Sequence, residues 1–355
     1  MNKTEKEKSL EERRALTFSV DSEIFKDNPP FPRELTIDIN NRCNHKCYFC
    51  ANTKIDKFAS LETDIIYDLM RQGVENGSTD LALQATGDPF MDKRLVKLVD
   101  KAKELGYQYV YLNTNGALAT PNIANAVADA GLDSIKFSIS AANREDYKVV
   151  HGYDDFDKVI ANLKSLYEYR NNNDINLGIY VSCVVNAKGH IDNNDFKNLV
   201  SQYCDHFDYR ELSNQGGSMM ELNDTEYINA DNILGSLKLE EQTGQCVYPF
   251  NRIVVNPYGY VVTCTADFYN KLAVGDVRKH SLLELWNGDV YKYLREKHLS
   301  NKLSGIYCDR CMNNSDSNVL SLIDSYNNSN EWIIINGYIG LFVEKNHIND
   351  TEIFF

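Results

Sequence analysis

Between residues 34 and 212 strand-like and helix-like runs alternate in strict order. Strands are expected at 34–40, 79–86, 107–113, 133–139, 175–185 and 206–212, and helices at 61–76, 92–105, 120–130, 155–171 and 192–203. The first strand shows the pattern: in Glu34-Leu-Thr-Ile-Asp-Ile-Asn40 the apolar Leu35, Ile37 and Ile39 recur in period two. Six strands joined in order by five helices imply a parallel sheet with right-handed crossovers. In such folds ligands gather at the carboxyl ends of the strands.

Just past the end of that first strand stand Cys43, Cys47 and Cys50, in the run CNHKCYFC. Three thiolates on one tight loop can hold three irons of a four-iron cluster. The fourth iron is then an open Lewis-acid position where a small molecule can chelate. A zinc site or redox thiols are the plainer alternatives. Zinc needs a fourth Cys or His close by, and His45 lies between the first two cysteines, where ring geometry is poor.

A second group comes later. Cys246 precedes a strand pair, Arg252–Asn256 and Tyr260–Cys264, around the turn Pro257-Tyr-Gly259. Cys308-x2-Cys311 follows. Four thiolates in this plan suit either zinc or a four-iron cluster, and spacing alone does not choose.

Composition narrows the field. The net charge of −14 disfavours nucleic acid, whose phosphates need a basic surface. The first residues, MNKTEKEKSLEERR, are charged and hold no apolar signal core. Nine cysteines in such a chain point to a reducing cytoplasm and metal sites rather than disulfides. No apolar stretch is long enough to span a membrane; the nearest, Trp332–Val343, is broken by Asn336 and Gly337.

The first cysteine loop, in its strand-end setting, resembles that of the radical S-adenosylmethionine (SAM) enzymes. The resemblance implies that the open iron binds the amino and carboxylate groups of SAM. One electron from the cluster, which an external donor such as flavodoxin or ferredoxin reduces, then cleaves the sulfonium to give a 5′-deoxyadenosyl radical. Thr86-Gly87-Asp88-Pro89 resembles the family's Gly-Gly-Glu-Pro segment, which binds the methionine amino group. Asn113-Thr-Asn-Gly116 ends the third strand, and Ser138-Ile-Ser140 resembles the family's ribose-binding serines. His151-Gly152 stands where relatives carry Arg-Gly, so His151, or Arg144, would meet the methionine carboxylate. The implied cofactor-binding residues are Phe49, Gly87, Asp88, Asn113, Ser138, Ser140 and His151. Taken singly, each polar one has a turn or capping role as its ordinary explanation.

The arrangement Cys246…Gly259-x4-Cys264, with Val274-Gly-Asp-Val277 and Leu282-Leu-Glu-Leu-Trp286, resembles the auxiliary-cluster domains of the SPASM and twitch subfamily. A full SPASM pattern adds two cysteines where this chain has Ser317 and Ser321. The chain therefore fits the one-cluster twitch type, with Cys246, Cys264, Cys308 and Cys311 as ligands.

The expected fold is α/β: a partial (β/α)6 radical SAM barrel at 34–212 and a C-terminal α+β twitch (SPASM-like) domain at 245–312. An N-terminal extension with a proline-rich linker occupies 1–33, a linker or active-site loop 213–244, and a C-terminal extension 313–355, whose apolar run would add strands. Two [4Fe-4S] clusters and SAM are the implied cofactors. The expected reaction is oxidation of a sugar- or aminocyclitol-like small molecule, the auxiliary cluster accepting an electron. A ribosomal peptide, cross-linked or epimerised, is the alternative substrate, and a two-cluster electron carrier the non-enzymatic alternative. Cys183 and Cys204 are expected to be small core residues; a thiol hydrogen-atom donor is the sharper alternative.

Overall fold

The computed structural model describes residues 24–185, 193–210, 212–224, 246–313, 315 and 318–335. The expectations for residues 1–23, 225–245, Ser317 and 336–355 lie outside them.

The six expected barrel strands are present: β1 Glu34–Ile37, β2 Asp80–Ala82, β3 Tyr109–Thr114, β4 Ser134–Ser138, β5 Gly178–Val184 and β6 His206–Arg210. All neighbouring pairs among them are parallel. Their spatial order follows chain order without reversal, so right-handed crossovers put every connecting helix on one face. These helices are α1 Thr63–Glu75, α2 Leu95–Glu104, α3 Pro121–Asp129, α4 Arg144–His151, α5 Phe156–Asn172 and α6 Asn193–Val200. Alternation then sorts the strand residues. Leu35, Ile37, Val110, Leu112, Ile135, Phe137, Ile179 and Val181 share one core with helical Ile66, Leu69, Val127 and Leu163. The other, inner face carries Glu34, Thr36, Tyr111, Asn113, Lys136, Ser138, Tyr180 and Ser182, paired in register from strand to strand.

The α4 helix is absent from the sequence-based expectation. Asn143 caps it by accepting from Asp146 N, and Gly152 closes it in the left-handed region at φ +75°.

The C-terminal region contributes α7 Tyr248–Asn251, β7 Arg252–Val255, β8 Tyr260–Val262, β9 Ala273–Asp276, α8 Leu282–Trp286, α9 Asp289–Leu299, α10 Tyr307–Met312 and α11 Leu322–Ile335. Its sheet is continuous with the barrel's. β7 pairs in parallel with β1, Glu34 opposite Arg252, and β8 and β9 continue antiparallel, making a sheet of nine strands among the described residues.

The proline-rich linker is docked against the C-terminal region. Trp286 Nε1 donates to Pro29 O at 3.1 Å, and Phe31 meets the Trp286 ring edge-on. Arg295, fully buried, donates to Asp27 O, Trp286 O and Pro249 O and lies 4.1 Å above the Trp286 ring. The apolar run beginning at Trp332 does not start as a strand: 332–335 belong to α11, so its first residues extend a helix already begun at Leu322.

Candidate metal centres

The Cys43–Cys50 loop lies beyond the carboxyl end of β1 and is held from the side by the last turn of α4. Lys46 N donates to His151 O and Tyr48 N to Val150 O, both at 3.1 Å. A Cβ on Gly152 would stand 2.8 Å from Lys46 O, so glycine permits the approach as well as the backbone turn. Burial pushes the Cys43 thiol up to about 12, with the Asp88 and Cys50 charges adding to the effect. Cys47 is raised by burial and then by Cys50 and Cys43, and Cys50 by burial. Three thiols so placed keep their protons unless a cation compensates them, as metal ligation does.

His151 is 1 % exposed, its ring stacked on Tyr147 with centroids 4.1 Å apart. Its Nε2 accepts from Ser140 N at 3.0 Å, and its Nδ1 lies 3.2 Å from Cys47 Sγ. Both ring nitrogens are thus engaged inside the protein, which leaves neither for the methionine carboxylate. Arg144, the other candidate, pairs with Asp154 at 2.7 Å on the exposed side of α4.

The remaining expected residues divide into two sets. Asp88, 3 % exposed, accepts from Thr114 Oγ1 at 2.9 Å, Asn115 N at 2.8 Å and Phe90 N at 3.0 Å, which ties the end of β2 to the end of β3. Ser140 accepts from Val184 N at 3.1 Å, and buried Phe49 packs edge-on to Tyr48 and His151. These side chains brace the loops. Gly87, Asn113 and Ser138 are half-buried. Gly87 passes so close to Asn40 O and Arg42 O that a Cβ would lie about 2.5 Å from them.

Two further residues were not among the expected cofactor contacts. Asp38 accepts from Ala85 N at 2.9 Å, Thr86 N at 3.0 Å and the Thr86 hydroxyl, fixing the Thr86–Pro89 segment. Burial nevertheless pushes its carboxyl up to about 6. Asn115 Nδ2 reaches Cys43 Sγ at 3.7 Å. An acid among the apolar residues of a buried strand was the available signal for the first; for the second it was the polar cluster at 113–116.

Cys246, Cys264, Cys308 and Cys311 line one pocket with Tyr248, Thr263, Asp267, His298 and Tyr307. Cys308 and Cys311 stand one helical turn apart on α10. Thr263 Oγ1 and His298 Nε2 are buried without a partner. Four thiols and two unpaired polar groups around one pocket fit a cluster, whose irons take thiolates and whose sulfurs take hydrogen bonds. Burial raises all four thiols, Cys311 to about 11. Among the described residues, no three Cys, His, Asp or Glu side chains close around a single point, as a lone metal ion requires. Ser321 caps α11, accepting from Asp324 N at 3.2 Å.

Residues 37–188 match the Radical SAM superfamily, and residues 246–312 match the SPASM iron–sulfur cluster-binding domain. The chain carries a radical SAM domain joined to an SPASM domain. It is 34% identical over 134 residues to a probable GTP 3′,8-cyclase of Saccharolobus islandicus, a match covering 37% of this chain and 42% of that protein. The chain thus spans less than half the length of the curated relatives it matches. Among solved structures it resembles BtrN in complex with AdoMet and 2-DOIA (TM-score 0.52, 18% identity, 81% of this chain and 94% of that one). It also resembles Streptococcus suis SuiB bound to precursor peptide SuiA (TM-score 0.59, 16% identity, 81% of this chain and 71% of that one). At these identities the likeness is one of fold.

The radical SAM and SPASM cysteines sit at opposite ends of the strands. Cys43–Cys50 follow the carboxyl end of β1. Cys246 and α7 precede the amino end of β7, which is parallel to β1, and Cys264 follows antiparallel β8 to the same end. Cys183 and Cys204 belong to neither group. Cys183 is fully buried in the helix-side core, between the inner-face neighbours Ser182 and Val184. Cys204 precedes the amino end of β6, where Asp205 N donates to Ile179 O.

Proposed function

We propose that this protein is a radical SAM oxidoreductase. On this reading Cys43, Cys47 and Cys50 hold one [4Fe-4S] cluster, and Cys246, Cys264, Cys308 and Cys311 hold an auxiliary one. The observation that carries the reading is the second pocket, which gathers four thiols at the strand ends opposite the first loop. With SAM bound, the first cluster supplies a 5′-deoxyadenosyl radical when reduced by a donor such as flavodoxin or ferredoxin. The protein's own part is orientation and exclusion of water. Asp38 and Asp88 hold the loops that frame the cofactor. Gly87, Asn113 and Ser138 stand beside it.

The inner face supports a polar, hydroxylated substrate of sugar or aminocyclitol type. Asn113, Ser138 and Ser182 offer donors and acceptors between the two cysteine sites. Removal of a hydrogen atom from a carbinol carbon, then of a proton and an electron, gives a carbonyl. Cys246, Cys264, Cys308 and Cys311 would leave a four-iron cluster no open iron for substrate, and such a cluster would supply an acceptor for the electron. One SAM is consumed per turnover.

A peptide substrate is the second reading. It draws on the likeness to SuiB, whose structure was determined with a precursor peptide. The experiment is to offer reduced holoenzyme and SAM to aminocyclitols, sugars and short peptides deuterated at carbon. Deuterium in 5′-deoxyadenosine with one equivalent of oxidised cyclitol or sugar supports the first reading. Transfer from a peptide Cα or Cβ alone supports the second. S-Adenosylhomocysteine as sole product sinks both.

A further inference from the structure

We propose that His151 is a positioning residue for the first cluster: it donates a hydrogen bond from Nδ1 to the Cys47 sulfur and thereby raises the cluster's reduction potential. This rests on the reading of Cys43, Cys47 and Cys50 as cluster ligands.

The ring's tautomer follows from its partners. Nε2 lies 3.0 Å from the Ser140 backbone nitrogen. A backbone amide can only donate, so Nε2 accepts and bears the lone pair. A neutral imidazole has one N–H, which is therefore on Nδ1. That nitrogen is 3.2 Å from Cys47 Sγ, and a thiolate sulfur is the acceptor it meets.

The ring is fixed in this orientation from three sides. Tyr147 stacks on it, Phe49 meets it edge-on at 6.3 Å, and Ser140 is itself tied to β5 through Val184 N. Turning the imidazole over would put carbons where both nitrogens now bond. A line of contacts thus runs from β5 through Ser140 and His151 to Cys47, and it sets the donor before any metal arrives.

The effect follows from charge. Reduction adds one electron to the cluster, and much of that charge resides on its sulfurs. A hydrogen bond to a ligand sulfur stabilises the reduced state more than the oxidised one. Hydrogen bonds to the sulfurs are among the features that set iron–sulfur potentials. His151 acts through Cys47 and touches no reacting atom.

The test uses the reconstituted holoenzyme. The signal of the first cluster is identified as the electron paramagnetic resonance signal that changes on adding SAM. His151→Phe keeps a ring for Tyr147 and loses the donor. His151→Asn keeps an N–H close to the Nδ1 position. The Phe variant is expected to show about a tenfold less favourable reduction equilibrium, a midpoint about 59 mV lower for one electron, and the Asn variant to recover most of the difference. For wild type made with 15N-histidine, pulsed resonance should detect one weakly coupled histidine nitrogen, a readout that needs no variant to fold. Equal midpoints in the wild type and the Phe variant, or no histidine coupling in the wild type, would overturn the inference while leaving the cluster in place. A wild-type protein with no SAM-responsive signal would remove the cluster reading and the inference with it.

Discussion

Glu34 and Arg252 face each other across the β1–β7 pair, Oε1 lying 2.8 Å from Nε and Nη2 donating to Oε2 at 3.1 Å. Both are nearly buried. Tyr111 adds a hydrogen bond to Glu34 at 2.8 Å, and the Arg252 guanidinium lies 4.6 Å from the centre of the Tyr248 ring, which lines the second cysteine pocket. The seam between the radical SAM and SPASM domains is thus a charged pair inside one sheet, not a hinge.

Arg252→Met strands the Glu34 carboxylate in that seam. Breaking a buried pair from one side costs about 3–5 kcal/mol, so the denaturation midpoint should fall steeply. The double variant Glu34→Gln, Arg252→Met should recover most of the loss. Equal stability of wild type and Arg252→Met would show that the pair is solvated in the molecule.

Gly152→Ala puts a methyl group against Lys46 O and an L side chain at φ +75°. We expect a loss of about 1 kcal/mol or more. Iron should fall at the first cysteine site, while iron at the SPASM site is unchanged. Iron content and thermal midpoint, each measured against wild type, check both parts.

Metal content separates the two cysteine groups. Anaerobically reconstituted protein should hold about eight irons, and the Cys43→Ala, Cys47→Ala, Cys50→Ala triple variant about half of that. The triple variant should also lose SAM cleavage. Tightly bound zinc in place of four of the irons would refute the auxiliary cluster.

Asp38 gives a pH signature. Its folded pKa of about 6 exceeds the ordinary 3.8. Such a group favours the folded state when protonated: the contribution is complete below the unfolded value and is lost as pH rises through about 6. Relative to Asp38→Asn, wild type should lose about 1 kcal/mol of stability between pH 5 and pH 7. A difference that stays flat with pH would mean that Asp38 is ionised throughout.

The barrel strands were legible because their alternation is local, and the cysteine groups because their spacing is. The α4 helix was not. It has eight residues, and of its side chains only Tyr147, Val150 and His151 are buried, too short an apolar face to register. Yet Asn143 before it and Gly152 after it are ordinary cap residues. The role of His151 depends on Ser140 and Cys47, partners that only the fold brings together. The union of the two sheets joins residues 218 apart, and no local pattern encodes it. Cys183 could be placed once the register was known: odd and even positions of β5 face opposite sides, and its side is the helical core.

That same union has a consequence for synthesis. β1 acquires one neighbour early, since Asp80 in β2 pairs with Glu34. Its other neighbour, β7, starts only at Arg252. At about 5–20 residues per second, β1 keeps one side unpaired for tens of seconds after it leaves the ribosome. An open strand edge is a template for wrong partners. The barrel bearing the first cysteine loop is therefore born with a raw edge, and the strand that seals it emerges just after Cys246.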